Sequence, residues 1–253
     1  MSGGHAHALH FHGHSPVHRL PAAVKLVGLL VFALAVVSTP PQAVWAFSGF
    51  MMILMVLLVA SEVPARFFLT RLAIDLPFIA FALLLPFVGE GPRVELGPLT
   101  VSAAGLLGAW NLIAKATLAA GASVLLAATT EIPDILAGLS RLRVPAVLVA
   151  IASFMIRYLE VVAGEFRRTR TSMAARGFEP RSVLDWKPVA VSAGALFIRS
   201  FERSERVHQA MLARGYDGSW HAAAQETIPA SAWLAGLVPG IVAAVIMLVA
   251  RAL

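Results

Sequence analysis

The sequence predicts an all-α integral membrane protein: about five transmembrane helices, one short amphipathic helix and two long helices with charged, cytoplasmic ends. Three observations lead there. Of 253 residues, 58% are hydrophobic and 13% charged, and the mean hydropathy is +0.80, far more apolar than a soluble chain of this size. The apolar residues fall in runs close to the length that crosses a bilayer. The charge is concentrated: residues 141–217 hold thirteen of the twenty Lys and Arg against seven of the fourteen acids, while the remainder balances. By the positive-inside rule that basic region faces the cytoplasm.

Along the chain, a polar, His-rich tail comes first, with no cleavable signal ahead of the first apolar run, so that run is expected to stay as a membrane helix. Ala22 to Ser38 and Ala43 to Ala60, separated by Thr39-Pro40-Pro41-Gln42, form a helical hairpin. Glu62 to Arg71 sets Arg66 and Arg71 beside Phe67, Phe68 and Leu69, the composition of a short interfacial segment. Leu72 to Val88 is the third span, and the Gly- and Pro-rich stretch Gly89 to Leu99 is a turn on the far side. Thr100 to Thr129 is a long fourth span containing Asn111 and Lys115. Ile132, Ile135, Leu136, Leu139 and Leu142 then recur at helical spacing, a short amphipathic helix with Thr130 as its cap.

Val144 to Phe178 and Val183 to Tyr216 begin apolar and end highly charged, and their apolar parts are short for full spans. Ala230 to Ala250 is the fifth span. The chain thus divides into a His-rich cytoplasmic tail (1–21), four membrane helices (22–129), the cytoplasmic helices (130–217), and a linker with the last span (218–253). Counting the two long helices as spans gives seven crossings, but sends one Arg-rich end outside, against the charge rule.

Those two helices end alike. Arg168, Met173, Ala175, Arg176, Gly177 and Phe178 are matched, 38 residues on, by Arg206, Met211, Ala213, Arg214, Gly215 and Tyr216, both reading R-x4-M-x-A-R-G-aromatic. One such end is an ordinary helix stop, since Gly takes the left-handed conformation and Arg favours the carbonyl end of the dipole. Two matching copies point to two equivalent acidic sockets, for which a guanidinium offers a rigid fork and the small Ala a close approach.

On these residues, with the run Glu202-Arg203-Ser204-Glu205-Arg206 and Thr129-Thr130 leading into Leu136 to Pro145, the chain resembles the transmembrane T components of energy-coupling factor transporters, most of all the cobalt-transport branch, CbiQ. The resemblance covers roughly Gly108 to Tyr216; the first three spans match only in apolar character. It implies a non-catalytic subunit of a bacterial inner-membrane importer, multi-pass, with its N-terminus in the cytoplasm. Its partners would be two ABC-type ATPases, which hold the ATP and Mg, and a substrate-binding S component in the bilayer. Ala175, Arg176, Gly177, Ala213, Arg214 and Gly215 would be the ATPase-coupling residues, and cobalt or nickel the cargo. Walker, nucleophile-elbow and H-E-x-x-H motifs are missing from the sequence.

Two further clusters carry chemistry. His5, His7, His10, His12, His14 and His18 form a tract of borderline nitrogen ligands suited to Co(II) or Ni(II), although such a tract is as readily a passive tail. Asp75, Asn111 and Lys115 stand inside spans, where charge faces protein or water, and Asp75 and Lys115 are expected to pair across the bundle. Near span ends, snorkelling to the interface is the plainer account, above all for Asp75. Rival readings are a vitamin-linked T component and an autonomous membrane carrier, for which Lys115 would be the substrate site. Carriers repeat whole membrane bundles, whereas here the repeat is cytoplasmic and cationic. Nucleic acid is not an expected partner, because the cations are interleaved with acids rather than gathered into one patch.

Overall fold

A computed structural model describes residues 11, 13, 15–89, 92–96, 99–178, 186–216 and 228–252. The chain forms two compact units, residues 1–142 with 225–253, and residues 143–224. The short amphipathic helix therefore packs with the first unit.

The first unit contains α1 (Pro16–Arg19), α2 (Ala22–Ser38), α3 (Val44–Ala60), α4 (Ala65–Leu72), a 3-10 turn at Ala73–Asp75, α5 (Leu76–Ala82), α6 (Leu85–Val88), the strands β1 (Arg93–Leu96) and β2 (Leu99–Ser102), α7 (Ala103–Thr129), α8 (Ile132–Arg141) and α11 (Ala230–Ala252). By length and composition four helices can cross a membrane: 65–88, 103–129, 146–175 and 230–252. At 17 residues each, α2 and α3 span only about 25 Å, short of the roughly 30 Å hydrocarbon layer. The Pro-rich turn stops them early: Thr39 folds its hydroxyl back onto the Ala35 carbonyl at 2.8 Å, and Pro40 and Pro41 follow.

The expected turn and the start of the fourth span need correction. Arg93–Leu96 and Leu99–Ser102 pair as antiparallel strands, Arg93 with Ser102 and Leu96 with Leu99, so α7 starts at Ala103, with Ser102 capping it through the Gly105 N–H at 3.2 Å. The expected third span lies within residues 65–88, a stretch long and apolar enough to cross a membrane, with a 3-10 turn at residues 73–75 and a second irregularity at Leu83–Leu84, because Pro77 and Pro86 supply no N–H to the helical hydrogen-bond ladder. In α4 the Arg71 guanidinium lies 3.5 Å over the Phe67 ring, a cation–π contact one helical turn apart.

The core is aromatic. Phe50 is fully buried and meets Phe32 and Phe47 edge-on at 6.0 and 6.2 Å. Around it lie Leu54, Leu58, Leu118, Leu125 and Ala243. Since lipid is as apolar as leucine, burial of such residues alone does not select a helix pairing; close backbone approach does. That approach occurs where α11 runs beside α2 in the same direction: a Cβ on Gly236 would fall 2.2 Å from Val24 Cγ1, one on Gly28 2.8 Å from the Gly236 carbonyl, and one on Gly240 3.2 Å from the Gly28 carbonyl.

Three cations finish helix ends. Lys25 donates to the carbonyls of His18 (3.3 Å) and Thr129 (2.8 Å) and to the Thr130 hydroxyl (3.1 Å), closing α1 and α7. Lys115 donates to the Val37 carbonyl at 2.7 Å and Arg251 to the Ser38 carbonyl at 3.0 Å, closing α2. Each supplies positive charge and donors to otherwise orphaned C-terminal carbonyls. Thr130 is therefore an acceptor for Lys25; Glu131 is the N-cap position of α8 and makes no side-chain cap bond. Lys25→Met leaves three acceptors without their charged donor, and hydrogen bonds to charged groups are worth about 1.5–3 kcal/mol each. A clear drop in melting temperature in detergent is expected, with Lys25→Arg losing less.

The second unit is a helical pair, α9 (Ala146–Ala175) and α10 (Trp186–Leu212). Against the expectation that its apolar part is short for a span, α9, at 30 residues, is long and apolar enough by length and composition to cross a membrane, because one helix continues unbroken from the apolar segment into the charged one.

Candidate functional site

Both helix ends carry the same backbone cap. At the first, Phe178 N–H donates to the Met173 carbonyl at 3.1 Å and Gly177 N–H to Ala174 at 3.0 Å; at the second, Tyr216 N–H donates to Met211 at 3.0 Å and Gly215 N–H to Leu212 at 2.9 Å. With Gly177 at φ 79° and Gly215 at φ 84°, these are two Schellman caps, in which a left-handed residue reverses the chain and an apolar pair brackets the turn. Met173 and Phe178, like Met211 and Tyr216, occupy the bracketing positions and are partly buried.

The cap thus accounts for Met, Gly and the aromatic, and leaves Ala and Arg unexplained. Ala175, Arg176, Ala213 and Arg214 are all exposed. Neither guanidinium has a hydrogen-bond or ion-pair partner among the described residues. Nothing lies within 4 Å of a Cβ built on Gly177 or Gly215, so within this chain glycine answers to the positive φ and not to crowding. Gly177→Ala and Gly215→Ala should each cost about 1 kcal/mol by forcing alanine left-handed; faster amide exchange confined to the last turn of each helix measures it.

The helices run antiparallel. Met173 Sδ receives the Ser192 hydroxyl at 3.2 Å, Glu165 pairs with Arg203, and Phe154 and Tyr158 share a cavity of about 530 Å³ with His208, Met211 and Tyr216. The Arg176 end therefore lies near the start of α10, and the Arg214 end at its finish. Ser192 to Arg214 is about 33 Å along the helix at roughly 1.5 Å per residue. The tips are thus separated by about the width of a small domain.

Glu165 and Arg203 pin the crossing. The Arg203 hydrogen bond, with the nearby Arg199 and Arg168, holds the Glu165 carboxyl below its ordinary range. A depressed carboxylate contributes stability above its unfolded pKa of about 4.3 and loses it as pH falls through the lowered folded value. Exchange of α9 and α10 amides should accelerate only in that acid window, and Glu165→Gln should remove the pH dependence.

The expected Asp75–Lys115 pair does not form. Asp75, 2% exposed, accepts the Thr117 hydroxyl at 2.8 Å, whereas Lys115 reaches Val37. Lys115 lies level with the end of α2, because α7 is ten residues longer and extends past it. Of the histidines, His5, His7, His10, His12 and His14 lie outside the described residues. His18 is tied to the Ser15 hydroxyl through Nδ1 (2.7 Å) and to the Phe11 carbonyl through Nε2 (3.0 Å). Its two nitrogens are therefore engaged in folding the segment back, not held open for a metal. Sequence reading also missed Lys25, the Glu165–Arg203 pair and the glycine seam; the small-xxx-small spacing Gly236-x3-Gly240 was the one available signal.

The sequence of the chain matches the family model of the cobalt transport protein CbiQ over residues 13–225, a stretch that includes both capped ends. The chain belongs to the CbiQ family. Among relatives, it is 31% identical over 206 residues to the cobalt transport protein CbiQ of Rhodobacter capsulatus, covering 78% of this chain and 79% of that one. It is 29% identical over 233 residues to the energy-coupling factor transporter transmembrane protein EcfT of Bacillus selenitireducens, covering 81% of each. To EcfT of Listeria innocua it is 28% identical over 221 residues, covering 81% and 82%. Family membership and the apolar helices make this CbiQ-family chain a multi-pass membrane transport component.

Proposed function

We propose that this chain is the coupling subunit of an energy-coupling factor importer, passing ATP-driven motion of two ABC-type ATPases to a substrate-binding S component, with cobalt or nickel as cargo. The observation that carries the reading is the pair of identical caps that leave Arg176 and Arg214 exposed at opposite ends of the antiparallel pair, more than about 30 Å apart by the helical rise. A guanidinium at such an end can fork onto a carboxylate of a partner, and the separation suits two sockets on two similar subunits. The antiparallel pair works as a lever: displacement of either tip is transmitted along a rigid helix to the Glu165–Arg203 crossing. Open apolar residues such as Met155, Leu159, Phe197 and Phe201 provide a face for a membrane partner. The chain itself carries no chemistry in this scheme. ATP and Mg sit on the ATPases, and cargo selection belongs to the S component. The family description, cobalt transport, favours the metal over a vitamin.

In this reading the protein sits in the bacterial inner membrane with its N-terminus and both arginine ends in the cytoplasm. The sequence has no cysteine, which permits a direct test. Ala175→Cys and Ala213→Cys should both react with an impermeant maleimide from the cytoplasmic side alone; labelling of the two from opposite sides would sink the proposal. Retention of an ABC-type ATPase through purification, with cobalt uptake by the assembled complex, is the complementary measurement.

We also propose that His5, His7, His10, His12 and His14 concentrate Co(II) or Ni(II) at the cytoplasmic face. Phe11 and His18 belong to the fold, since Phe11 donates to the Ala128 carbonyl at 2.9 Å and its ring meets Phe67 at 5.9 Å. The informative variant therefore replaces the five outer histidines by alanine and keeps those two. Lower uptake at limiting cobalt is expected, and unchanged uptake makes the tail passive.

A further inference from the structure

Where α1, α2, α7 and α8 meet, the first unit contains two chambers with a common wall. One, of about 400 Å³, is polar and lined by Arg19, Glu131, Asp134, Arg141 and the first residues of α2. The other, of about 100 Å³, is apolar, lies between α2, α3, α7 and α11, and is lined by Leu29, Phe32, Leu57, Leu126 and Pro239. Leu20, Lys25 and Thr129 line both.

The charges in the polar chamber do not cancel: Arg19, Lys25 and Arg141 face Glu131 and Asp134. The three donors of Lys25 are spent on His18, Thr129 and Thr130, so it fixes positive charge in the wall without offering a free N–H. The guanidinium groups of Arg19 and Arg141 have no partner among the described residues. The positive end of α2, whose N-cap Pro21 supplies no side-chain acceptor, opens into the same chamber. The wall lies where α2 begins and α7 ends, and the amphipathic α8 borders it. In the membrane orientation of the proposed function, on which this inference rests, that is the depth at which an apolar layer gives way to headgroups.

We propose that the paired chambers form a binding site for one anionic phospholipid, its phosphodiester between Arg19 and Arg141 and the start of an acyl chain beyond the Leu20–Thr129 wall. An excess of one positive charge selects a net anionic headgroup over a zwitterionic one. A lipid seated there would clamp α8 and the α1–α2 junction to the transmembrane bundle.

The test is native mass spectrometry and thermal unfolding of the full chain in detergent, titrated separately with phosphatidylglycerol, phosphatidylcholine and inorganic phosphate. Phosphatidylglycerol should be retained about tenfold or more over phosphatidylcholine, and inorganic phosphate should give little protection. Arg19→Gln with Arg141→Gln should abolish that preference while leaving the circular dichroism unchanged; Arg19→Gln alone, at an exposed position, serves if the pair does not fold. Equal retention of the two lipids, an unaltered preference in the variants, or protection by inorganic phosphate equal to that by lipid would each overturn the proposal.

Discussion

Replacing Arg176 and Arg214 together by alanine is expected to release the ATPases from an otherwise intact protein. The caps that end α9 and α10 are made by backbone groups of Met173, Ala174, Gly177 and Phe178 and of Met211, Leu212, Gly215 and Tyr216, and neither arginine side chain takes part. Helix content and melting temperature should therefore stay at wild-type values. Truncating one member of a hydrogen-bonded charge pair buried at an interface costs about 2–5 kcal/mol, so each single change should weaken ATPase association at least about 30-fold. The tips are too distant to share partners, and the two losses should add in free energy. Arg→Lys at either end keeps the charge but loses the fork, and should fall between wild type and alanine. Measured affinities for the isolated ATPase pair check the series. A double variant that binds ATPases and couples hydrolysis to transport normally rules out these ends as the contact.

Gly236→Leu is expected to detach α11 from α2 and cause the largest stability loss in the first unit. A Cβ there lies 2.2 Å from Val24 Cγ1, so even the first added carbon forces the helices apart. Overpacking of a tight contact costs typically about 1–3 kcal/mol, and separation also removes the van der Waals contact that holds membrane helices together. Gly240→Ala is milder, with its nearest atoms at 3.2 Å. Gly194→Leu in α10 is the control, since nothing lies within 4 Å of a Cβ there. The readouts are melting temperature in detergent and protease sensitivity of the α11 segment. Equal melting of the Gly236→Leu and wild-type proteins would show that this seam does not hold the helix.

The helix ends were legible in the sequence because a Schellman cap is local. Its bonds link residues three to five apart, and Met, Gly and an aromatic at fixed offsets write it out in one dimension. The duplication then separated cap from site, since what repeats beyond the needs of the cap is Ala-Arg. Lys115 was not legible. Its run suggests a charge in mid-membrane, and only the short α2, ending level with it, shows that the ammonium closes a helix. Asp75 was misassigned for the same reason, as Thr117 and Lys115 are two residues apart on α7 and point in different directions. The strands at 93–96 and 99–102 fell in or beside a stretch whose glycines and prolines read as turn alone.

The sequence by itself determined that this is a helical membrane protein with two alike, arginine-bearing helix ends, because apolar run length, charge asymmetry and caps are properties of contiguous residues. Tertiary structure decided which helix faces meet, which carbonyls Lys25, Lys115 and Arg251 close, and how far apart the two arginine ends stand. In a helix apolar on every side, hydrophobicity does not mark the buried face, so pairing follows from where glycine lets two backbones approach, and that is settled only in three dimensions.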